Sequence, residues 1–136
     1  IAAMQSLTGI ILIILIACLL PYVFAALARI GSGYKPEVHG GAPRIFMAKA
    51  NGWSARAYAV QQNSFEGLPL FLVAIMMAEY LVIPDGYILL LGSAYILLRL
   101  IYGILYLADL PQLRSVFWLL ATACPIILLV LCIKVY

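Results

Sequence analysis

Several side chains able to do chemistry stand inside otherwise apolar runs, and their spacing gathers them. At about 100° per residue of helix, Arg56, Asn63 and Glu66 fall within one stripe of about 80°, with Ala59 between them. Tyr95, Arg99, Tyr102 and Tyr106 follow an i, i+4, i+7, i+11 pattern and share a second face. Arg114, followed by Ser115, stands at the mouth of the last apolar run. An ionisable group within a membrane span costs at least about 2.5 kcal/mol, so such groups tend to face a bundle interior and mark a site. Converging near one membrane surface, these three groups would form a pocket rich in guanidinium and phenol donors with a single carboxylate. Such a pocket suits a small anionic, peptide-like ligand, because Arg clamps carboxylates in bidentate fashion and Glu66 can hold an ammonium group. A hydrophobic co-substrate would enter sideways from lipid. A second reading stays open, in which Glu66 and an Arg of a neighbouring helix form a buried ion pair bridged by Asn63 that only holds the bundle together. Tyr102 and Tyr106 likewise suit an interfacial aromatic role.

The elements that must position these groups follow from composition. Of 136 residues, 67% are hydrophobic and 10% charged, and the mean hydropathy is +1.15. Soluble domains carry about 25% charged residues, so an ordinary water-soluble enzyme and a disordered tail are both excluded. A helix needs about 20 apolar residues to cross a bilayer, which leaves room for four or five spans and no separate soluble domain. The expected architecture is all-α, a single four-span domain over residues 1–136 with spans at about 7–30, 54–83, 87–108 and 116–136. The first run holds Pro21, where a kink is expected. It is too long for a signal-peptide core and reads as a mature span.

Residues 31–53 (GSGYKPEVHGGAPRIFMAKANGW) have loop chemistry, with one amphipathic turn expected around Arg44 to Ala50. The stretches IPDGY (83–87) and DLPQLRS (109–115) read as tight turns between helices. Five of the eight basic residues lie between Arg29 and Arg56, so the long first loop and the second tight turn are expected on the cytoplasmic face. Cys18, Cys124 and Cys132 sit in apolar runs without metal-ligand spacing, which suggests neither a disulfide framework nor a metal site. His39, in the Gly-rich loop, reads as a solvated loop residue. Ser64 and Ser115 lack His and Asp partners for a nucleophilic triad. The chain shows no inverted repeat of the transporter kind.

Residues 56–71, RAYAVQQNSFEGLPLF, resemble the second-helix signature of the MAPEG family, membrane-associated proteins of eicosanoid and glutathione metabolism. Arg56, Gln61, Asn63, Glu66, Pro69 and Phe71 match that pattern. The segments RLIYGILY (99–106) and LRS (113–115) resemble the family's third helix and the opening of its fourth. The resemblance implies a homotrimer of four-helix subunits of bacterial type, with glutathione bound between adjacent subunits near the cytoplasmic surface; the short Pro-rich loop chemistry fits a bacterial inner membrane. It implies glutathione binding by Arg56, Gln61, Asn63, Glu66, Arg99, Tyr102 and Tyr106, and thiol activation by Arg114, for conjugation to lipophilic electrophiles or reduction of hydroperoxides. Lipid and a lipophilic small molecule, not nucleic acid, are the implied partners. The chain departs from the pattern at Ala59, where glutathione-binding members carry a second Arg, and the family also has noncatalytic, lipid-binding members. A noncatalytic protein that binds lipid or packs against a larger complex is therefore the alternative.

Overall fold

A computed structural model of the chain describes residues 2–35, 41–49 and 51–135, and these are helical with short connections. Five helices appear among them: α1 (Ala2–Ser32), α2 (Pro43–Ala48), α3 (Gly52–Tyr80), α4 (Asp85–Leu107) and α5 (Pro111–Val135). The extra helix beyond the four expected is the six-residue α2, the amphipathic turn anticipated from sequence. Pro43 opens it, where a missing N–H costs nothing. Its Met47 is buried against Ala28 of α1 and Ala57 of α3, which pins the loop to the bundle. His39 lies outside the described residues.

Among the described residues, three helices are long and apolar enough to cross a membrane: α1 from Gln5, α4 and α5. The fourth expected span, α3, is as long as they are, but Arg56, Gln61, Gln62, Asn63 and Glu66 dilute its first half. All three internal prolines, Pro21, Pro69 and Pro125, lie within helices that continue past them. The DLPQLRS stretch is shorter as a turn than its composition suggests. Helix α5 begins at Pro111, so Arg114 and Ser115 belong to its first turns. The fixed φ of proline suits the first position of a helix, and Ser115 Oγ donates back to the Pro111 carbonyl at 3.0 Å.

Both hairpin turns end their helices in the same way. Val82 N–H donates to the Glu79 carbonyl (3.1 Å) and Ile83 N–H to that of Ala78 (2.9 Å). Asp109 and Leu110 repeat the pair with Tyr106 (3.0 Å) and Leu105 (3.1 Å). These are Schellman caps, and they place Val82 (φ 58°) and Asp109 (φ 60°) in the left-handed region usually given to glycine. The caps turn the chain within three or four residues, so α3 and α4, then α4 and α5, run as antiparallel neighbours.

In the bundle α3 packs against α1, α4 and α5, while α4 also packs against α1 and α5. The interior is filled at helical spacing by Ile10, Ile13 and Ala17 of α1, Phe71, Ala74, Ile75 and Ala78 of α3, Ile88 and Tyr95 of α4, and Ala121, Cys124 and Leu128 of α5. In lipid, where burial from water does not drive helices together, small residues set how closely backbones approach. Gly103 is one tight case, since a Cβ there would clash with the edge of the Phe24 ring. Outward rows such as Ile11, Leu12, Leu15 and Leu19 are exposed, as a lipid-facing surface requires.

Candidate functional site

The polar faces of α3 and α4 meet as their spacing predicts, toward the end of the bundle that carries the α4–α5 turn. Arg99 is 2% exposed, and its Nη2 donates to Ser64 Oγ at 3.2 Å. Its guanidinium carbon lies 4.7 Å from the centroid of the Tyr102 ring. Tyr102 meets Tyr106 edge to face at 5.7 Å, and Arg114 of α5 lies over Tyr106 at 3.9 Å. Cation and ring thus form a continuous row, Arg99–Tyr102–Tyr106–Arg114, in which each guanidinium faces a negative ring face. Three of its members come from one stripe of α4, and the fourth is delivered by the early start of α5.

Two adjoining cavities open along this row. One, of about 250 Å³, is lined by Asn63, Tyr102, Tyr106, Arg114, Ser115 and Trp118. The other, of about 260 Å³, has Asn63, Glu66, Gly67 and Leu70 of α3 on one side, Tyr95 and Arg99 of α4 on another, and Trp118, Thr122 and Pro125 of α5 on the third. Asn63 and Trp118 belong to both and stand where the two meet. Tyr95 is stacked there on Phe71 with centroids 4.1 Å apart and planes 11° from parallel.

Two atoms at these cavities lack protein partners: Asn63 Oδ1 and Arg99 Nε are buried without a hydrogen bond. A buried polar atom left unpaired costs about 1–3 kcal/mol, so a native site normally supplies a partner. One atom is an acceptor and the other a charged donor. A ligand offering both an ammonium or N–H donor and a carboxylate acceptor would satisfy both, and exposed Glu66 on the same cavity adds a second place for an ammonium group.

The structure brings six of the expected site residues to these cavities: Asn63, Glu66, Arg99, Tyr102, Tyr106 and Arg114. Arg56 is engaged elsewhere, its Nε donating to the Leu107 carbonyl at 3.2 Å. Gln61 lies on another face of α3, in a groove with Tyr22, Arg29, Arg44 and Tyr58. Trp118 and Thr122 were not singled out from the sequence. The signal was available, because they follow Arg114 at i+4 and i+8 and so share its face of α5. The three cysteines are free, and no group of three metal-ligating side chains forms among the described residues.

Comparison with known proteins bears on this arrangement. The family model for the MAPEG family matches residues 9–134, nearly the whole chain. No curated protein matches it.

Proposed function

The chain belongs to the MAPEG family and is an integral membrane protein; from that membership we propose that it is a membrane-bound glutathione transferase or peroxidase acting on lipophilic electrophiles or hydroperoxides. In this reading α3 is the fourth span, three copies associate, and the first loop faces the cytoplasm of a bacterial inner membrane. The observation that carries it is the guanidinium of Arg114 over Tyr106 at the rim of a cavity that continues to the unpaired atoms of Asn63 and Arg99.

Glutathione, when bound, supplies a thiol whose ordinary pKa is about 8.5, so it is mostly protonated at neutral pH. Arg114 offers a cation beside the cavity, and a cation held away from bulk water favours the thiolate. Asn63 and Arg99 supply one acceptor and one charged donor for the peptide portion, and Glu66 pairs with its ammonium group. Tyr102 and Tyr106 hold the two guanidinium groups apart and offer phenol donors. Arg56, part-buried beside this end of the bundle, adds positive potential. Gln61, on another face of α3, would meet such a ligand only from a neighbouring copy. The apolar side of the larger cavity, Leu70 with Pro125 and Trp118, gives a lipophilic co-substrate its surface.

The test is stopped-flow absorbance of thiolate on mixing the purified protein with glutathione, followed by conjugation of a model electrophile. Wild type gives a thiolate signal that Arg114→Ala abolishes. Absence of both thiolate and conjugation, or an Arg114→Ala variant equal to wild type, overturns the proposal. One observation favours a noncatalytic, lipid-binding or complex-associated protein instead: Ala59 supplies no cation where glutathione-binding relatives have one. Native mass spectrometry separates the two, since a trimer that retains lipid and ignores glutathione supports the second.

A further inference from the structure

Tyr95 belongs to the polar stripe of α4, yet neither thiol activation nor the binding of a peptide portion makes use of it. It is 4% exposed, and its ring lies on that of Phe71. The hydroxyl reaches across to α3, where a Cβ built on Gly67 would stand 3.3 Å from the oxygen, so the glycine keeps room around it at the wall of the larger cavity. That hydroxyl has no hydrogen-bond partner among the described residues. A buried tyrosine O–H usually finds one. On the facing helix α5, Thr122 brings a second hydroxyl to the same cavity, also without a partner among the described residues.

Position along the helices orders the chemistry of this cavity. Tyr95 stands one turn farther from the α4–α5 connection than Arg99, Thr122 one turn farther than Trp118, and Leu70 one turn farther than Glu66. The charged lining residues, Glu66 and Arg99, therefore occupy the outer end. The inner end combines two neutral hydroxyls with the apolar surfaces of Leu70 and Pro125. Tyr95 is near the middle of α4, which is long and apolar enough to cross a membrane, so this inner end lies near the depth of the bilayer centre. Hydroxyls at that depth find few partners other than protein or ligand.

We propose that Tyr95, with Thr122 beside it, selects lipophilic co-substrates that carry a neutral oxygen acceptor in their tail, the phenol O–H donating to a carbonyl or hydroxyl oxygen while the chain lies along Leu70 and Pro125. Thr122 follows Arg114 by eight residues, roughly 12 Å of helix, which sets the separation between that oxygen and the atom that meets the thiolate. The inference rests on the reading of Arg114 as the thiol-activating residue and names the class of second substrate for the same site. Apolar walls favour an alkyl chain over ordered water, which needs two to four polar partners at one point.

The test has two arms, both on the full chain in neutral detergent. In the first, a saturated long-chain ketone, isotope-labelled at its carbonyl carbon, is titrated into the protein without glutathione and followed by infrared difference spectroscopy. Wild type should give a carbonyl band at lower frequency than protein-free micelles, the sign of a donated hydrogen bond. Tyr95→Phe keeps the ring and deletes only the oxygen, and it should remove that band; Thr122→Val should weaken it. Absence of the band in wild type, or its persistence in Tyr95→Phe, overturns the proposal. In the second arm, glutathione is conjugated to two enals of equal chain length, one a plain hydrocarbon and the other with a keto oxygen about 12 Å from the reacting carbon. Wild type should favour the keto enal roughly threefold to tenfold in kcat/KM, the worth of one neutral hydrogen bond, and Tyr95→Phe should bring the ratio near one. An equal ratio in wild type and variant overturns the proposal. Conjugation of neither enal would instead sink the glutathione reading, and the infrared arm, which needs no thiol, still decides this one.

Discussion

The guanidinium of Arg56, near the start of α3, donates from Nε to the carbonyl oxygen of Leu107, the last residue of α4, at 3.2 Å. Carbonyls at a helix C-terminus lack partners within the helix and carry partial negative charge, so a cation there both bonds and neutralises. The bond joins the polar end of α3 to the turn that launches α5, and thereby fixes where Arg114 begins. Removing it by Arg56→Ala should destabilise the ligand-free protein by about 1.5–3 kcal/mol, the range for a charged hydrogen bond. Denaturant titration in micelles measures this, and a residue that served ligand binding alone would leave that midpoint unchanged.

Arg99 has one protein hydrogen bond, to Ser64, and is nearly inaccessible. Ser64→Ala leaves that guanidinium N–H unpaired and should cost about 1–3 kcal/mol. Arg99→Met in the Ser64→Ala background should recover much of the loss, because exchanging a buried ion for an apolar side chain of similar volume is often neutral or stabilising. The comparison of single and double variants reads this coupling directly.

Contact between Gly103 and the Phe24 ring sets the spacing of α1 and α4. Gly103→Ala adds a methyl against the edge of that ring and should destabilise by about 1–3 kcal/mol. Combining it with Phe24→Leu should restore part of the stability, and the double-mutant cycle should show a favourable coupling.

Val82 is a β-branched, exposed residue at φ 58°. Val82→Gly should stabilise the fold by roughly 1 kcal/mol, read as a higher unfolding midpoint, since the left-handed conformation costs a non-glycine residue about 1–2 kcal/mol. The same change at Asp109 should yield less, because Asp tolerates that conformation better.

Much of the site was legible in sequence because helical phase is simple arithmetic. The stripes through Arg56, Asn63 and Glu66 and through Arg99, Tyr102 and Tyr106 needed only the assumption that apolar runs are helices. The same arithmetic separates Gln61 from them by about 140°, so motif likeness alone had grouped it with Asn63. The partner of Arg56 was not legible. A side chain that reaches main chain 51 residues away leaves no periodic trace. The early start of α5 was hidden for a related reason: Leu110 to Ser115 has the polar composition of a loop, but Pro111 at the first helical position turns it into helix. Likewise α2 was visible as an amphipathic turn, while its anchoring through Met47 depended on two alanines from different helices.

The indole of Trp118 stands where the two cavities of the site adjoin, and the chain has only one other tryptophan, Trp53. The protein therefore carries its own optical reporter. With Trp53 replaced by phenylalanine, all tryptophan emission would originate at that partition. Its wavelength and quenching would register water leaving either compartment as a ligand enters, in a bilayer and without a label.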